Sequence, residues 1–168
     1  MSTRSAVYAG SFDPLTNGHV GIIRRGRRIF DRIVVAVATN IAKKPLFDID
    51  ERIAMINAEF GDDDGVIVDT CDGLLVEYAA SRGIDAILRG LRGVADFEYE
   101  LQMASMNRKL NEGIDTVFLM TEGTHYYVSS RLVKEVAMLG GSVEGVVPDQ
   151  VAERLRVKFQ KTPEQVQG

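Results

Sequence analysis

The segment Gly10-Ser11-Phe12-Asp13-Pro14-Leu15-Thr16-Asn17-Gly18-His19 holds the densest set of residue types able to handle a phosphate. Gly10 and Gly18 let backbone approach a ligand closely, Asp13-Pro14 fixes a turn, and a helix opening after them aims its unpaired N–H groups at an anion. His19 then falls in the first turn, facing that anion. A lone histidine there could simply cap the helix; the Gly, Asp-Pro, Gly-His spacing favours the phosphate site. Three further stretches share this chemistry: Lys43-Lys44-Pro45, Arg89-Gly90-Leu91-Arg92 with Asp96-Phe97-Glu98-Tyr99-Glu100 behind it, and Val128-Ser129-Ser130. Paired lysines are usually a solvated face and loop arginines usually bridge to a carboxylate, and Lys44 is read that way. Lys43, Arg89 and Arg92 lie beyond predicted strand ends on the same rim as His19, where converging cations imply a polyanion. Ser129 and Ser130 stand at a predicted helix start, so from these residues alone capping and phosphate binding are equal readings.

Bringing those segments to one rim is the task of the regular elements. Five apolar runs, residues 6–9, 33–38, 65–68, 86–88 and 116–120, alternate with segments of helical period. The runs are continuous rather than alternating, as strands of a parallel sheet covered on both faces must be. Val20, Ile23, Arg27 and Phe30 predict a first helix, with Arg24, Arg25, Arg27 and Arg28 toward water. Asp48 and Glu51 form a capping box for a second, which places Ile53, Ile56 and Phe60 on one face. Asp72 is the expected cap of a third through Leu75, Tyr78, Ala79 and Arg82, stopped by Gly83. A fourth, about 96–110, carries Phe97, Leu101, Ala104 and Arg108 as a stripe, and a fifth runs from Ser129 to Gly140-Gly141. A short terminal helix fits within 148–160. The resulting βαβαβαβαβα order is a doubly wound, Rossmann-like α/β fold with a five-stranded parallel sheet. One domain over residues 1–160 is expected, with 161–168 polar enough to fray. Ligands of such folds bind beyond the carboxyl ends of the strands, here the loops after Ala9, Ala38, Leu88 and Met120.

Composition narrows the class of function. The 168 residues are 45% hydrophobic, enough for one core without disulfides or metals. Twenty Lys+Arg against 24 Asp+Glu give a net charge of -4, which fits neither an acidic disordered chain nor a nucleic-acid binder. Helix-one arginines without interleaved aromatics point the same way. Cys71, the sole cysteine, suits a reducing cytoplasmic setting and a buried thiol rather than a nucleophile, and with only His19 and His125 beside it no zinc site is expected. The apolar run ending at Gly10 is too short for a signal segment, and no stretch approaches the ~20 apolar residues of a membrane helix. Neither G-x-G-x-x-G after the first strand nor G-x-x-x-x-G-K-[ST] occurs, which disfavours dinucleotide oxidoreductases and P-loop nucleotidases.

Thr16-Asn17-Gly18-His19 resembles the T/H-x-G-H signature of the nucleotidylyltransferase superfamily. With Lys43, Arg89-Gly90-Leu91-Arg92, the DFEYE run and Val128-Ser129-Ser130, residues 5–155 resemble the bacterial phosphopantetheine adenylyltransferases. The resemblance implies adenylyl transfer from ATP to 4′-phosphopantetheine, giving dephospho-coenzyme A and pyrophosphate. It implies catalytic roles for His19, at the α-phosphate in the transition state, and for Lys43 and Arg92; Ser11, Lys43, Leu75 and Arg89 would bind the acceptor. The implied ATP set is Ser11, Phe12, His19, Gly90, Leu91, Arg92, Glu100, His125, Tyr126, Tyr127, Val128, Ser129, Ser130 and Arg131. Arg131 departs from the family pattern, which commonly has a third hydroxyl there, and the two tyrosines could instead pack over the sheet edge. Mg²⁺ carried by the ATP phosphates without protein ligands, a homohexamer and feedback inhibition by coenzyme A are further implications. The attacking phosphate monoester is already largely dianionic near pH 7, so no general base is required. Two alternatives stay open: another nucleotidylyltransferase, with nicotinate mononucleotide or a phospho-alcohol as acceptor, and a noncatalytic nucleotide sensor.

Overall fold

A computed structural model describes residues 3–39 and 44–160. Lys43 and the tail 161–168 lie outside the described residues. Eleven elements follow one another within them: β1 (Ser5–Gly10), α1 (Asn17–Gly26), β2 (Arg32–Ala38), α2 (Ile49–Phe60), β3 (Val66–Cys71), α3 (Leu75–Ser81), β4 (Ala86–Leu91), α4 (Val94–Leu110), β5 (Asp115–Met120), α5 (Ser130–Met138) and α6 (Asp149–Phe159). The strands form one sheet in the order β3-β2-β1-β4-β5, with every neighbouring pair parallel. The chain thus starts in the middle of the sheet and winds outward in both directions, placing the reversal of strand order at β1 and β4.

Because successive strand residues point to opposite faces, the central strands divide between two cores. Ala6, Tyr8, Ile33, Val35 and Leu88 pack with Ile23 of α1, Met55 and Ile56 of α2, Val133 of α5 and Leu155 of α6. Val7, Val34, Ala36 and Ile87 pack with Val76 and Ala79 of α3. Each such aliphatic side chain contributes about 1.5–3 kcal/mol when fully buried, which explains why the three central strands are continuous apolar runs. The edge strands β3 and β5 are only part-buried, and Ile67 is exposed.

Four local expectations are corrected. Helix α1 stops at Gly26, where a Cβ would meet Leu88 at 2.7 Å, and Arg27 turns inward to Asp63 with both Nε and Nη2 at 3.1 Å rather than facing water. Asp72 caps nothing: Leu74 occupies the N-cap of α3 without a side-chain bond, while Gly83, at φ 62°, ends that helix as expected. The stripe on α4 stays uncovered, with Phe97 and Leu101 exposed, Arg108 paired to Asp115, and Glu100 the one buried residue. Strand β4 continues past its apolar run, so Arg89, Gly90 and Leu91 are strand residues paired with Phe118, Leu119 and Met120, not loop residues. Cys71 is buried, which pushes its thiol pKa up.

Candidate active site

The loop from β1 to α1 is organised around aromatic packing and a helix cap. Phe12 adopts φ 47° and stacks edge-on against His19 and Tyr8, at ring distances of 5.0 and 5.6 Å. A Cβ on Gly10 would stand 3.3 Å from the Phe12 ring, so glycine is what admits that ring. Thr16 is the N-cap of α1, and its Oγ1 accepts from the His19 N–H at 3.3 Å. In return the Thr16 N–H donates to His19 Nδ1 at 3.0 Å, with Oγ1 also 3.1 Å from that nitrogen. The T-x-G-H spacing is therefore a capping box with histidine in the place usually held by Glu or Gln. Since Nδ1 accepts, the hydrogen-bond network assigns the ring proton to Nε2, leaving it free to donate. Burial and then the charges of Arg92 and Arg89 lower the His19 pKa to about 4, so a neutral imidazole presents that proton at neutral pH.

Two buried charged residues hold the loop in place. The Asp13 carboxylate accepts from the Phe47 and Leu46 amides at 2.9 and 3.0 Å and from Lys134 Nζ of α5 at 2.8 Å. Burial alone would raise its pKa, but Lys134 and the two amides outweigh it and hold the carboxyl below the usual range. Arg52 of α2, 2% exposed, donates to the carbonyls of Ser11 at 2.9 Å and Ala38 at 3.3 Å and, through Nε, to that of Asp48 at 3.2 Å. It ties the ends of β1 and β2 together. Neither role was legible in advance: Asp13 passed for a turn residue, and nothing marks Arg52 among the polar positions of its helix.

Above the carboxyl end of β1 lies a cavity of about 300 Å³ lined by Tyr8, Gly10, Ser11, Phe12, His19, Arg89, Gly90, Arg92, Glu100, Val128, Ser129 and Ser130, among others. A second, of about 240 Å³, is lined by Leu75, Ile87, Tyr99, Met103 and Asn107 and shares Arg89 and Glu100 with the first. These two residues form the wall between them: Arg89 Nε and Nη2 donate to the two Glu100 oxygens at 2.8 and 2.6 Å, and Nη1 donates to the Ala9 carbonyl at 3.1 Å. Arg92 makes a similar fork to Asp96 at 2.9 and 3.0 Å. The Ser129 hydroxyl accepts from the Leu132 amide at 3.1 Å, and the Ser130 hydroxyl donates to the Pro14 carbonyl at 2.8 Å. Both serines thus have structural partners while also facing the cavity, so the two readings of the pair coexist.

Several sequence-derived candidates stand outside the first cavity. Leu75 lines the second one, and Leu91 is buried. His125 borders a separate surface hollow with Arg24 and Arg25, while Tyr126 and Tyr127 stack on each other at 5.6 Å and are exposed. Arg131 is 84% exposed and pairs with Glu135 at 3.0 Å along α5. Tyr8, Arg52 and Lys134 are residues at or beneath the site to which no role had been attached, while Asp13 had been read as a turn residue and Thr16 as the first position of the T-x-G-H motif. Among the described residues, no group of three or more His, Cys, Asp or Glu side chains could hold a metal ion.

Residues 7–136 match the family model described as cytidylyltransferase-like. The chain is similar to proteins named phosphopantetheine adenylyltransferase from several bacteria. It is 56% identical to that of Anaeromyxobacter dehalogenans (strain 2CP-C) over 95% of this chain and 98% of the relative. It is 56% identical to that of Nitratidesulfovibrio vulgaris (strain DP4) over 92% and 83%, and 54% identical to that of Caldanaerobacter subterraneus subsp. tengcongensis over 95% and 99%.

Proposed function

The chain belongs to the phosphopantetheine adenylyltransferases, within the cytidylyltransferase-like family, and from that membership we infer that it transfers the adenylyl group of ATP to 4′-phosphopantetheine, releasing pyrophosphate and forming dephospho-coenzyme A. The observation that carries the site assignment is the His19 imidazole, neutral and held by Thr16, at the edge of a cavity flanked by Arg89 and Arg92.

The acceptor phosphate brings its own negative charge as nucleophile, so catalysis reduces to bringing two polyanions in line and stabilising charge on the α-phosphate. His19 Nε2–H donates to a non-bridging α-phosphate oxygen. A neutral donor fixed before the reaction needs no reorganisation as charge develops there. The leaving pyrophosphate lies at the N-terminus of α5, where the Ser129 hydroxyl and the first-turn amides of Ser130 and Arg131 offer donors that the helix cannot use internally, the Ser130 hydroxyl staying with Pro14. Arg92 exchanges Asp96 for the same phosphates. The Arg131 side chain stays with Glu135.

The acceptor spans the two cavities. Its phosphate sits near Ser11 and Arg89, and its pantetheine arm runs past the Arg89–Glu100 wall toward Leu75; Lys43 is assigned to that phosphate by family membership alone. Glu100 lines the nucleotide cavity as one of the ATP set and also orients Arg89 for the acceptor. Phe12, Gly90, Leu91 and Val128 shape the nucleotide side, and His125, Tyr126 and Tyr127 approach the nucleotide from the α1 edge. A divalent ion such as Mg²⁺, if carried in by ATP, would supply charge neutralisation for the triphosphate and would need no ligand among the described residues. The exposed apolar face of α4 supports assembly into a homohexamer. Cytoplasmic residence and inhibition by coenzyme A, which resembles the product, complete the proposal; no helix of the described residues is long and apolar enough to cross a membrane.

The test is pyrophosphate release across a panel of ATP or CTP with 4′-phosphopantetheine, nicotinate mononucleotide or a phospho-alcohol. Turnover confined to ATP with 4′-phosphopantetheine supports the assignment. Preference for another pair would replace the acceptor or the nucleotide.

A further inference from the structure

We propose that the Tyr8 hydroxyl binds ATP, as a second neutral donor to its phosphates on the floor of the first cavity. The proposal rests on the adenylyl-transfer reading and adds a residue to it that lies outside the T-x-G-H motif.

Tyr8 sits on the central strand, in register with Val35 of β2 and Leu88 of β4. It is 7% exposed, and its ring is fixed edge-on by Phe12 at 5.6 Å and lies 6.3 Å from the His19 ring. Strand alternation turns it toward the face that carries α1 and α5, along with Phe12, Ile22 and Val128. The second cavity, lined by Ile87, Leu75 and residues of α4, lies on the opposite face. A group on the Tyr8 side therefore meets the nucleotide rather than the pantetheine arm.

Apart from His19 Nε2, which is free to donate, several polar groups around this floor already have partners. Arg89 holds Glu100 and Ala9, Arg92 holds Asp96, Ser129 holds the Leu132 amide, and Ser130 holds Pro14. Tyr8 Oη has no hydrogen-bond partner among the described residues, although it belongs to a nine-tenths buried side chain that lines the cavity. A Cβ at Gly90 would stand 3.8 Å from Oη, so the glycine keeps the approach to it open. The ring is buried while the hydroxyl opens into the cavity, so a ligand oxygen can take the place of water on it. The charged neighbours are Arg89, Arg92 and Glu100. Glu100 and Asp96 offset the two guanidiniums until Arg92 leaves Asp96 for the phosphates, and burial pushes the phenol pKa up, so it remains a donor throughout the physiological range.

The test is Tyr8→Phe, which removes the hydroxyl and keeps the ring. Binding of ATP and of adenosine is measured by calorimetry, with thermal unfolding of the unliganded protein and steady-state kinetics beside it. The dissociation constant for ATP and its KM are expected to rise about tenfold, as for loss of one hydrogen bond to a charged partner. Adenosine binding, the KM for 4′-phosphopantetheine and kcat should stay within about twofold, and the unliganded variant should melt no lower than wild type. Unchanged ATP affinity overturns the proposal, as does an equal loss for adenosine. A lower melting temperature with intact ATP binding also overturns it, by making the hydroxyl structural. Failure of the wider reading looks different: wild type would bind ATP yet form no product with 4′-phosphopantetheine, and the calorimetric comparison at Tyr8 would still decide this point.

Discussion

At the residue scale the proposed mechanism depends on the protonation state of His19. Its chemical type and spacing were visible in the sequence, and capping of the helix was the alternative reading; that Thr16 is its partner in a reciprocal capping box was not legible, because that box usually carries Glu or Gln at its third position. Removing the donor by His19→Ala should lower kcat by about 10²–10³ with ATP binding largely kept, measurable by steady-state kinetics and calorimetry. The pH dependence follows with a definite sign. A histidine of pKa about 4 stays neutral from pH 8 down to pH 5, so the acid limb of kcat/KM for the acceptor, near pH ~6, belongs to the substrate's second phosphate ionisation. His19→Gln should therefore depress the whole profile without moving that limb; a limb that shifts or vanishes would mean that His19 itself titrates there. Thr16→Val should lower kcat by mispositioning the ring, whereas Thr16→Ser should restore it.

At the element scale, the strands and helices were readable because apolar runs and caps are local, while their ends and attachments were not. Arg89 was placed in a loop because polarity ends the apolar run of β4, yet β5 hydrogen-bonds the strand for three more residues and an arginine at the rim is tolerated once Glu100 faces it. Arg52 was invisible for a related reason: its partners are three backbone carbonyls from separate segments. Asp13 shows what such attachments do, since one carboxylate joins the β1–α1 loop to the segment before α2 and to α5. Asp13→Asn should destabilise the protein by about 2 kcal/mol or more, for loss of charge-assisted bonds at a buried site, and should reduce turnover by loosening the loop. A carboxyl whose folded pKa is depressed stabilises above its unfolded pKa and loses that contribution as pH falls through the folded one. Acid unfolding monitored by circular dichroism should accordingly be shallower below pH ~4 for Asp13→Asn than for wild type.

At the scale of the whole molecule, the doubly wound fold carries the reversal of strand order at β1 and β4, and both cavities gather at that crevice. Fold class was legible from the alternation of runs, but strand order was not, since it depends on which apolar faces meet after the chain leaves each helix. The fourth helix is the clearest limit of sequence patterning. Its stripe of Phe97, Leu101 and Ala104 suggested a core face, and the chain instead leaves it uncovered. If further copies cover this surface, as the proposed assembly has it, Leu101→Glu is expected to shift the protein to smaller species in sedimentation velocity, with the monomer fold unchanged by circular dichroism. The central claim, adenylyl transfer across the first cavity, is tested most directly by following ATP labelled separately at its α- and γ-phosphates during reaction with 4′-phosphopantetheine. Label from the α-position should appear in dephospho-coenzyme A and label from the γ-position in pyrophosphate, with both slowed about 10²–10³ in His19→Ala. Absence of α-label from the pantetheine product, or its undiminished transfer by the His19 variant, would contradict the assignment.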